Sequence, residues 1–489
     1  MPRPFKVSIM PASAPPASRA TPRGTPAPHR ARQQRAVLIV VLASYMMIIL
    51  DTSIVITGLP EMRNDLGFSP VGLAWVQNAY TLSFGGFMML GARAGDILGR
   101  RRVYLAGLAL FMLSSLVIGL APTPASLLIA RAVQGAGAAV LAPTTLSLLA
   151  LHFAEGEERN RAFARYAAAA GIGSSLGLVL GGVFAGWVSW RVGFLMNVPV
   201  GMALFAAATR LLGPQPGNGG RLDLAGAILS TLGMGGLVYG IMRSAAAGWQ
   251  DAGTIGAVGA GLVLMAAFLV LQARAVNPLM PLRLFFDRGR VGAYLGRALF
   301  LGAMVSFFFF STQLMQGELR MTPVQAGIGF LPMTVLTFAA SLALPRLIRS
   351  FGNGRVLLAS FPIMALGLLW LAQAGTGLGY MAAVAPPMLL IGIGNGLALG
   401  PLTGAAMRGV AAEDSGAASG LVNVAHQLGG TVGLAVMITL FAAAMQGIAS
   451  PQAALAQGIV AGLRGAAVLA LLGLVATVAL ILPSERRGV

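Results

Sequence analysis

Apolar stretches of roughly 20 residues recur along this chain, separated by short charged or Pro- and Gly-bearing breaks. At 1.5 Å per residue, a helix of about that length crosses the ~30 Å hydrocarbon core of a bilayer. Unbroken runs suit helices, which satisfy their own backbone hydrogen bonds, and do not suit a barrel. Six runs come first, at residues 36–57, 72–92, 103–121, 124–150, 161–184 and 191–212. Two more, 222–244 and 253–272, precede the basic connection "RAVNPLMPLRLFFDRGR". A last six follow at 290–314, 325–347, 354–373, 378–406, 417–446 and 459–483. Only 10% of residues are charged and 57% are hydrophobic, against about a quarter charged in soluble domains. The predicted class is an all-α integral membrane protein of about fourteen helices.

A formal charge of +19 would suggest a nucleic-acid partner in a soluble chain, but here the basic residues lie between the apolar runs. With alternate connections assigned to opposite sides, only Arg63, Arg131, Arg191, Arg243, Arg297, Arg320 and Arg464 fall outside the termini and even-numbered connections. The positive-inside rule then predicts that both termini are cytoplasmic. Residues 1–35, rich in Pro, Ala, Ser and Arg and without an acid, are expected to form a disordered basic tail. The absence of cysteine excludes disulfides, thiol catalysis and cysteine-based metal sites. Lys6 is the one lysine, and abundant Arg, Ala and Gly suggest a high-GC bacterial source.

The chain repeats itself weakly. "LGARAGDILGRRRVYLAGL" follows the second run, and "LALPRLIRSFGNGRVLLAS" follows the second of the last six. "GAGAAVLAPTT" and "GIGNGLALGPLT" likewise occupy corresponding fourth runs. Parallel six-helix repeats of this kind build many secondary transporters. The expected organisation is tail 1–35, a six-helix bundle over 36–212, an inserted helix pair and cytoplasmic linker over 213–289, a second bundle over 290–483, and tail 484–489.

Four stretches carry chemistry. In "GARAGDILGRRRVYL", Asp96 and Arg100 lie four apart, close enough to pair if the turn is helical. Topology alone reads this loop as a positive-inside anchor in which Asp96 is the one acid. "RAVQGAGAAVLAPTTLSLLA" places Arg131 about seven residues inside a span, where a cation is costly unless it faces a cavity or partner; snorkelling to the outer interface is the alternative. The small residues beside it permit close helix packing. "GIGSSLGLVLGGVFAG" offers a packing face through Gly177, Gly181 and Gly182. "LDTSIVITGLP" places Asp51 inside the first run.

Together, and in this order, these stretches resemble the Major Facilitator Superfamily, specifically its 14-helix drug:proton antiporter branch, over residues 36–483. "WVQNAYTL" and "WRVGFLMNVPVG" support the resemblance. It implies that the first loop, through Asp96, Gly99, Arg100 and Arg101, latches the cytoplasmic gate in one conformation, with Ala92 and Ile97 standing where the family has glycine and arginine. It implies an antiporter motif in the fifth helix, with Leu178 in place of the usual proline. For Asp51 it implies a role in coupling or substrate binding.

Depth arithmetic adds an independent expectation. Asp51 lies about 15 residues, ~22 Å, from the cytoplasmic start of its run, hence ~8 Å from the outer edge of the core. Arg131 enters from outside to roughly 10 Å, the same layer. Gln77 and Asn78 fall at about that depth too, so a polar cluster is expected there. Arg297 lies about 10 Å from the cytoplasmic side, as a partner for an anionic or carbonyl group or as a snorkelling cation. His426, near mid-depth, is either a second proton carrier or a hydrogen-bonded packing residue.

The expected function is proton-coupled efflux of small amphipathic drugs or antibiotics by alternating access between two bundles. The expected driving force is the proton gradient with no cofactor or metal, and the expected state is a monomer in the bacterial cytoplasmic membrane. Proton-coupled uptake and narrow metabolite export remain open alternatives. An enzyme acting on lipids would need carboxylate or histidine clusters, and the chain has only three histidines. The GxxxxGK[ST] phosphate loop of an ATP-driven pump is absent. A sensor would need an output domain, which no connection is long enough to hold.

Overall fold

A computed structural model describes residues 28–153, 157–213, 216–217, 223–275, 278–373, 379–410 and 415–487. Among the described residues, fourteen helices of membrane-spanning length follow one another, twelve of them also apolar enough to cross a membrane: α1 (Pro28–Leu66), α2 (Ala74–Leu98), α3 (Arg100–Gly119), α4 (Pro124–His152), α5 (Glu157–Val183), α6 (Trp190–Leu211), α7 (Leu224–Ala247), α8 (Ala252–Arg274), α9 (Arg288–Gln313), α10 (Pro323–Phe351), α11 (Asn353–Leu371), α12 (Tyr380–Met407), α13 (Ser415–Met445) and α14 (Pro451–Ala476). α6, α10 and α12 each contain a short break, at Met196, Phe330 and Val384. Among the described residues the number of these helices is even, so the start of α1 and the end of α14 share one face, called terminal below; the other is distal.

Side chains set the ends of these helices by occupying backbone N–H groups that the first turn leaves unpaired. Thr123 and Ser126 form a capping box at α4, and Thr322 and Gln325 another at α10. Asp223, Asp251 and Asp287 cap α7, α8 and α9, so three of the few acids are spent on helix starts. Gly99 and Gly352, both at positive φ (94° and 81°), separate α2 from α3 and α10 from α11. A side chain with a Cβ is strained there, which accounts for the glycine common to both basic connectors.

The packing repeats with a period of eight helices. α1 lies against α5, α2 and α3 against α4, and α3 against α6; correspondingly α9 lies against α13, α10 and α11 against α12, and α11 against α14. Two six-helix bundles result. They meet through α2 against α13 and α5 against the start of α10. α7 packs on α2 and α13 with α8 outside it, so the inserted pair sits on one seam. α8 buries only 17% of its apolar window, against 72% for α9, which fits a lipid-facing position for α8 and a central one for α9.

At both ends of the chain, helix extends into a segment that the sequence reads as a tail. α1 begins at Pro28 rather than near residue 36, and Gln34 anchors its early turns by donating to the His152 carbonyl (3.0 Å). The final helical segment runs on to Arg487, and Glu485 there accepts from Arg408 (2.6 Å). Basic and polar residues made both ends read as tails, while tertiary partners hold them helical. Residues 1–27 lie outside the described ones.

Candidate functional site

Asp51 of α1 is fully buried, and three side chains donate to its carboxylate. Arg131 Nη1 of α4 reaches Oδ2 at 2.8 Å; Gln134 Nε2 and Asn197 Nδ2 each reach Oδ1 at 2.8 Å. Ser115 of α3 backs both amides, accepting from Gln134 at 2.7 Å and Asn197 at 3.3 Å. The arginine is held in turn, its Nε donating to the Val76 carbonyl (3.1 Å) and its guanidinium lying 4.3 Å from the centre of the Tyr80 ring. Close packing makes this possible: a Cβ on Gly135 would sit 2.3 Å from the Tyr80 carbonyl oxygen, so glycine lets α4 approach α2.

Five helices therefore converge on one carboxylate. A buried charge is tolerated only when paired and hydrogen-bonded, and here both ions are without exposure. The neutral members Gln134, Asn197 and Ser115 are absent from the sequence-derived candidates. Gln134 lies one turn beyond Arg131, on the same helix face, and Asn197 lies within "WRVGFLMNVPVG".

Gln77 and Asn78 share the layer but not the network. Asn78 is buried against α7, donating to Met242 Sδ at 3.4 Å, and the buried Gln77 Oε1 has no hydrogen-bond partner among the described residues. Val76 and Tyr80, four apart, face Arg131, and Asn78, two residues from each, points about 200° away.

A second polar group occupies the other bundle. Arg297 Nε of α9 donates to His426 Nδ1 of α13 at 3.0 Å, and its Nη1 donates to the Leu399 carbonyl and Thr403 Oγ1 of α12 at 3.1 and 3.0 Å. Because arginine remains protonated and offers no acceptor, His426 Nδ1 is the acceptor and carries no proton in this conformation.

The distal ends of the two bundles touch. Gly177 and Gly181 pack on α1, whereas Gly182 faces α10, where an added Cβ would lie 2.3 Å from the Pro323 carbonyl oxygen. Gln316, in a π-turn after α9, donates to the Thr57 carbonyl of α1 at 2.9 Å. Beyond Phe330 the picture reverses: of Leu331–Phe351 only Met333 is buried. Leu178 is buried in an uninterrupted stretch of α5, and the local irregularity comes later, as a π-turn at Phe184–Val188. At the terminal face Gly99 makes the turn, Arg100 Nη1 donates to the Ser147 carbonyl (3.2 Å) and Arg101 Nη2 to that of Thr209 (2.8 Å). The side chain of Asp96 lies outside the described ones.

Residues 41–434 match the Major Facilitator Superfamily model. The chain belongs to that family. It is 42% identical to a cephamycin export protein of Amycolatopsis lactamdurans, over 82% of this chain and 84% of the relative. It is 35% identical to a puromycin resistance protein of Streptomyces alboniger, over 82% and 81%. Among solved structures, one of a proton-dependent oligopeptide transporter superposes with a TM-score of 0.62 at 16% identity, covering 94% of this chain and all of the other. A nucleoside transporter superposes with a TM-score of 0.59 at 13% identity, over 92% and 99%. These superpositions fix the fold. As a superfamily member the chain is a multi-pass membrane transporter rather than an enzyme.

Proposed function

We propose that this transporter exports antibiotics or other amphipathic drugs across the bacterial cytoplasmic membrane in exchange for protons, with both termini cytoplasmic and a monomer as the working unit. The relatives' names supply the substrate class: cephamycin and tetracenomycin C export, puromycin and methylenomycin A resistance. The observation that carries the coupling mechanism is the buried Asp51–Arg131 pair, a titratable group with no exposure and a separable cation.

Distal contact between α5 and α10, with exposed residues beyond Phe330, fits an inward-facing state. Opening outward would require the bundles to rock about their seam. Asp51 and Arg131 belong to the same bundle, so coupling needs α4 to shift against α1 as the bundles rock; with Arg131 drawn away, Asp51 is left as an unpaired buried charge and takes a proton from outside, because neutralising it costs less than keeping it ionised. Protonation accompanies drug release outside; return of Arg131 on inward closure expels the proton inside. The loop containing Asp96, Gly99, Arg100 and Arg101 biases the gate, and His426 is the second proton-site candidate.

Several relatives are named for a single antibiotic, which favours a narrow spectrum as the second reading. A compound-susceptibility panel in an efflux-deficient host tests both. Protection that vanishes when a protonophore collapses the gradient supports export by antiport; protection against one chemical class selects the narrow reading.

A further inference from the structure

We infer that the transported drug is an amphiphilic carboxylate, recognised by Arg297 on one wall and by the stacked pair Tyr45 and Tyr166 on the other. This rests on the export reading above and specifies its substrate class.

Charge is the first argument. Asp51 and Arg131 cancel in their own layer. Among the described residues no carboxylate forms an ion pair with Arg297, and Tyr45 interacts with it electrostatically. His426 cannot compensate, since it accepts the Arg297 Nε–H and is neutral. Arg297 thus stands inside the membrane with no anionic partner among the described residues, where charge attracts an anion and repels a cation more strongly than in water.

Geometry is the second. Arg297 is part-buried, and three hydrogen bonds to α12 and α13 fix its plane through Nε and Nη1. Nη2 makes none among the described residues, so a donor edge is left in a pre-set orientation. A guanidinium of this kind suits a planar carboxylate. α1 and α5 supply Tyr45 and Tyr166, stacked 3.8 Å apart with an 11° interplanar angle and both partly exposed. Tyr45 lies on α1, which touches α9, so the two walls belong to different bundles. The stack offers a flat apolar face to the body of a ligand whose acid meets Arg297. Rocking of the bundles would part the two walls and dismantle the site, as release requires.

The test uses the full-length protein in nanodiscs of zwitterionic phosphatidylcholine, which removes anionic lipid as a competitor. Three probes share one fluorophore: dansylglycine (anionic), dansylamide (neutral) and dansylcadaverine (cationic). The wild type is expected to bind dansylglycine about ten- to a hundred-fold more tightly than the other two, the range for one charge-assisted hydrogen-bonded contact. Arg297→Gln should remove that preference while leaving dansylamide affinity nearly unchanged, and Tyr45→Ala should weaken dansylglycine and dansylamide together. If Arg297→Gln fails to insert, the wild-type ranking alone decides. Equal affinity for the three probes, tighter dansylcadaverine, or a preference that survives Arg297→Gln overturns the inference. Export of neutral antibiotics by a protein that ignores dansylglycine would overturn this inference and leave the export reading standing; failure to protect against any compound would overturn that reading itself.

Discussion

Arg131 Nη1 lies 2.8 Å from Asp51 Oδ2, and neither side chain has any exposed surface. Removing one partner leaves the other charged and buried, so Arg131→Ala should destabilise the protein by about 3–5 kcal/mol. Replacing both, as Asp51→Asn with Arg131→Gln, should recover much of that loss without restoring transport. Thermal unfolding in detergent measures the first effect and efflux the second.

Asn197 donates to the same carboxylate and has no charge of its own. Asn197→Ala should cost about 1.5–3 kcal/mol, the range for a hydrogen bond to a charged group. It should also alter the pH dependence of transport, because the carboxylate loses a donor that favours its ionised form. A pH profile that matches wild type would make Asn197 a packing residue only.

Gly182 permits contact between α5 and the Pro323 carbonyl. Gly182→Val should hold the distal ends apart and slow the transport cycle. With cysteine absent from the native sequence, a single Gln316→Cys reports on this: an impermeant maleimide should label it severalfold faster in the Gly182→Val background.

Topology is checked in the same way. Cysteines at the exposed Gly67 and Gln250 should react with reagent added outside intact cells, whereas one at Phe286 (85% exposed) should react only after permeabilisation. The reverse pattern would overturn the assignment of cytoplasmic termini.

Asp251 caps α8 and pairs with Arg243, and its bond to that arginine first, then the Thr254 N–H, hold its carboxyl down to about 2. A depressed folded value means that its stabilising contribution is present above the ordinary carboxylate range near pH 4 and is lost as pH falls toward 2. Amide exchange at the start of α8 should therefore be as protected at pH 4.5 as at pH 7, after correction for intrinsic rates, and Asp251→Ala should remove the protection at both.

The fourteen helices were legible because span length and apolar content are fixed by the bilayer, and the eight-helix period because two glycine connectors repeat. Depth arithmetic put Asp51 and Arg131 in one layer, and they are bonded. It gave height but not azimuth, so it grouped Asn78 with them although Asn78 faces Met242 on another side of α2. Gln134, Asn197 and Ser115 escaped because a neutral side chain carries no desolvation cost large enough to flag it in a sequence. Arg297 and His426 were each legible as membrane polar residues, but not as a pair, since 129 positions separate them and only the α9–α13 contact joins them.

Proton coupling through Asp51 is tested most directly with purified Asp51→Asn in liposomes on an imposed pH gradient. The account predicts normal insertion, no uphill drug movement, and drug binding that is independent of pH between about 5 and 8, whereas the wild type binds more weakly as pH falls. Uphill transport by Asp51→Asn at wild-type rates would contradict the account and move the proton site elsewhere, with His426 the next group to replace.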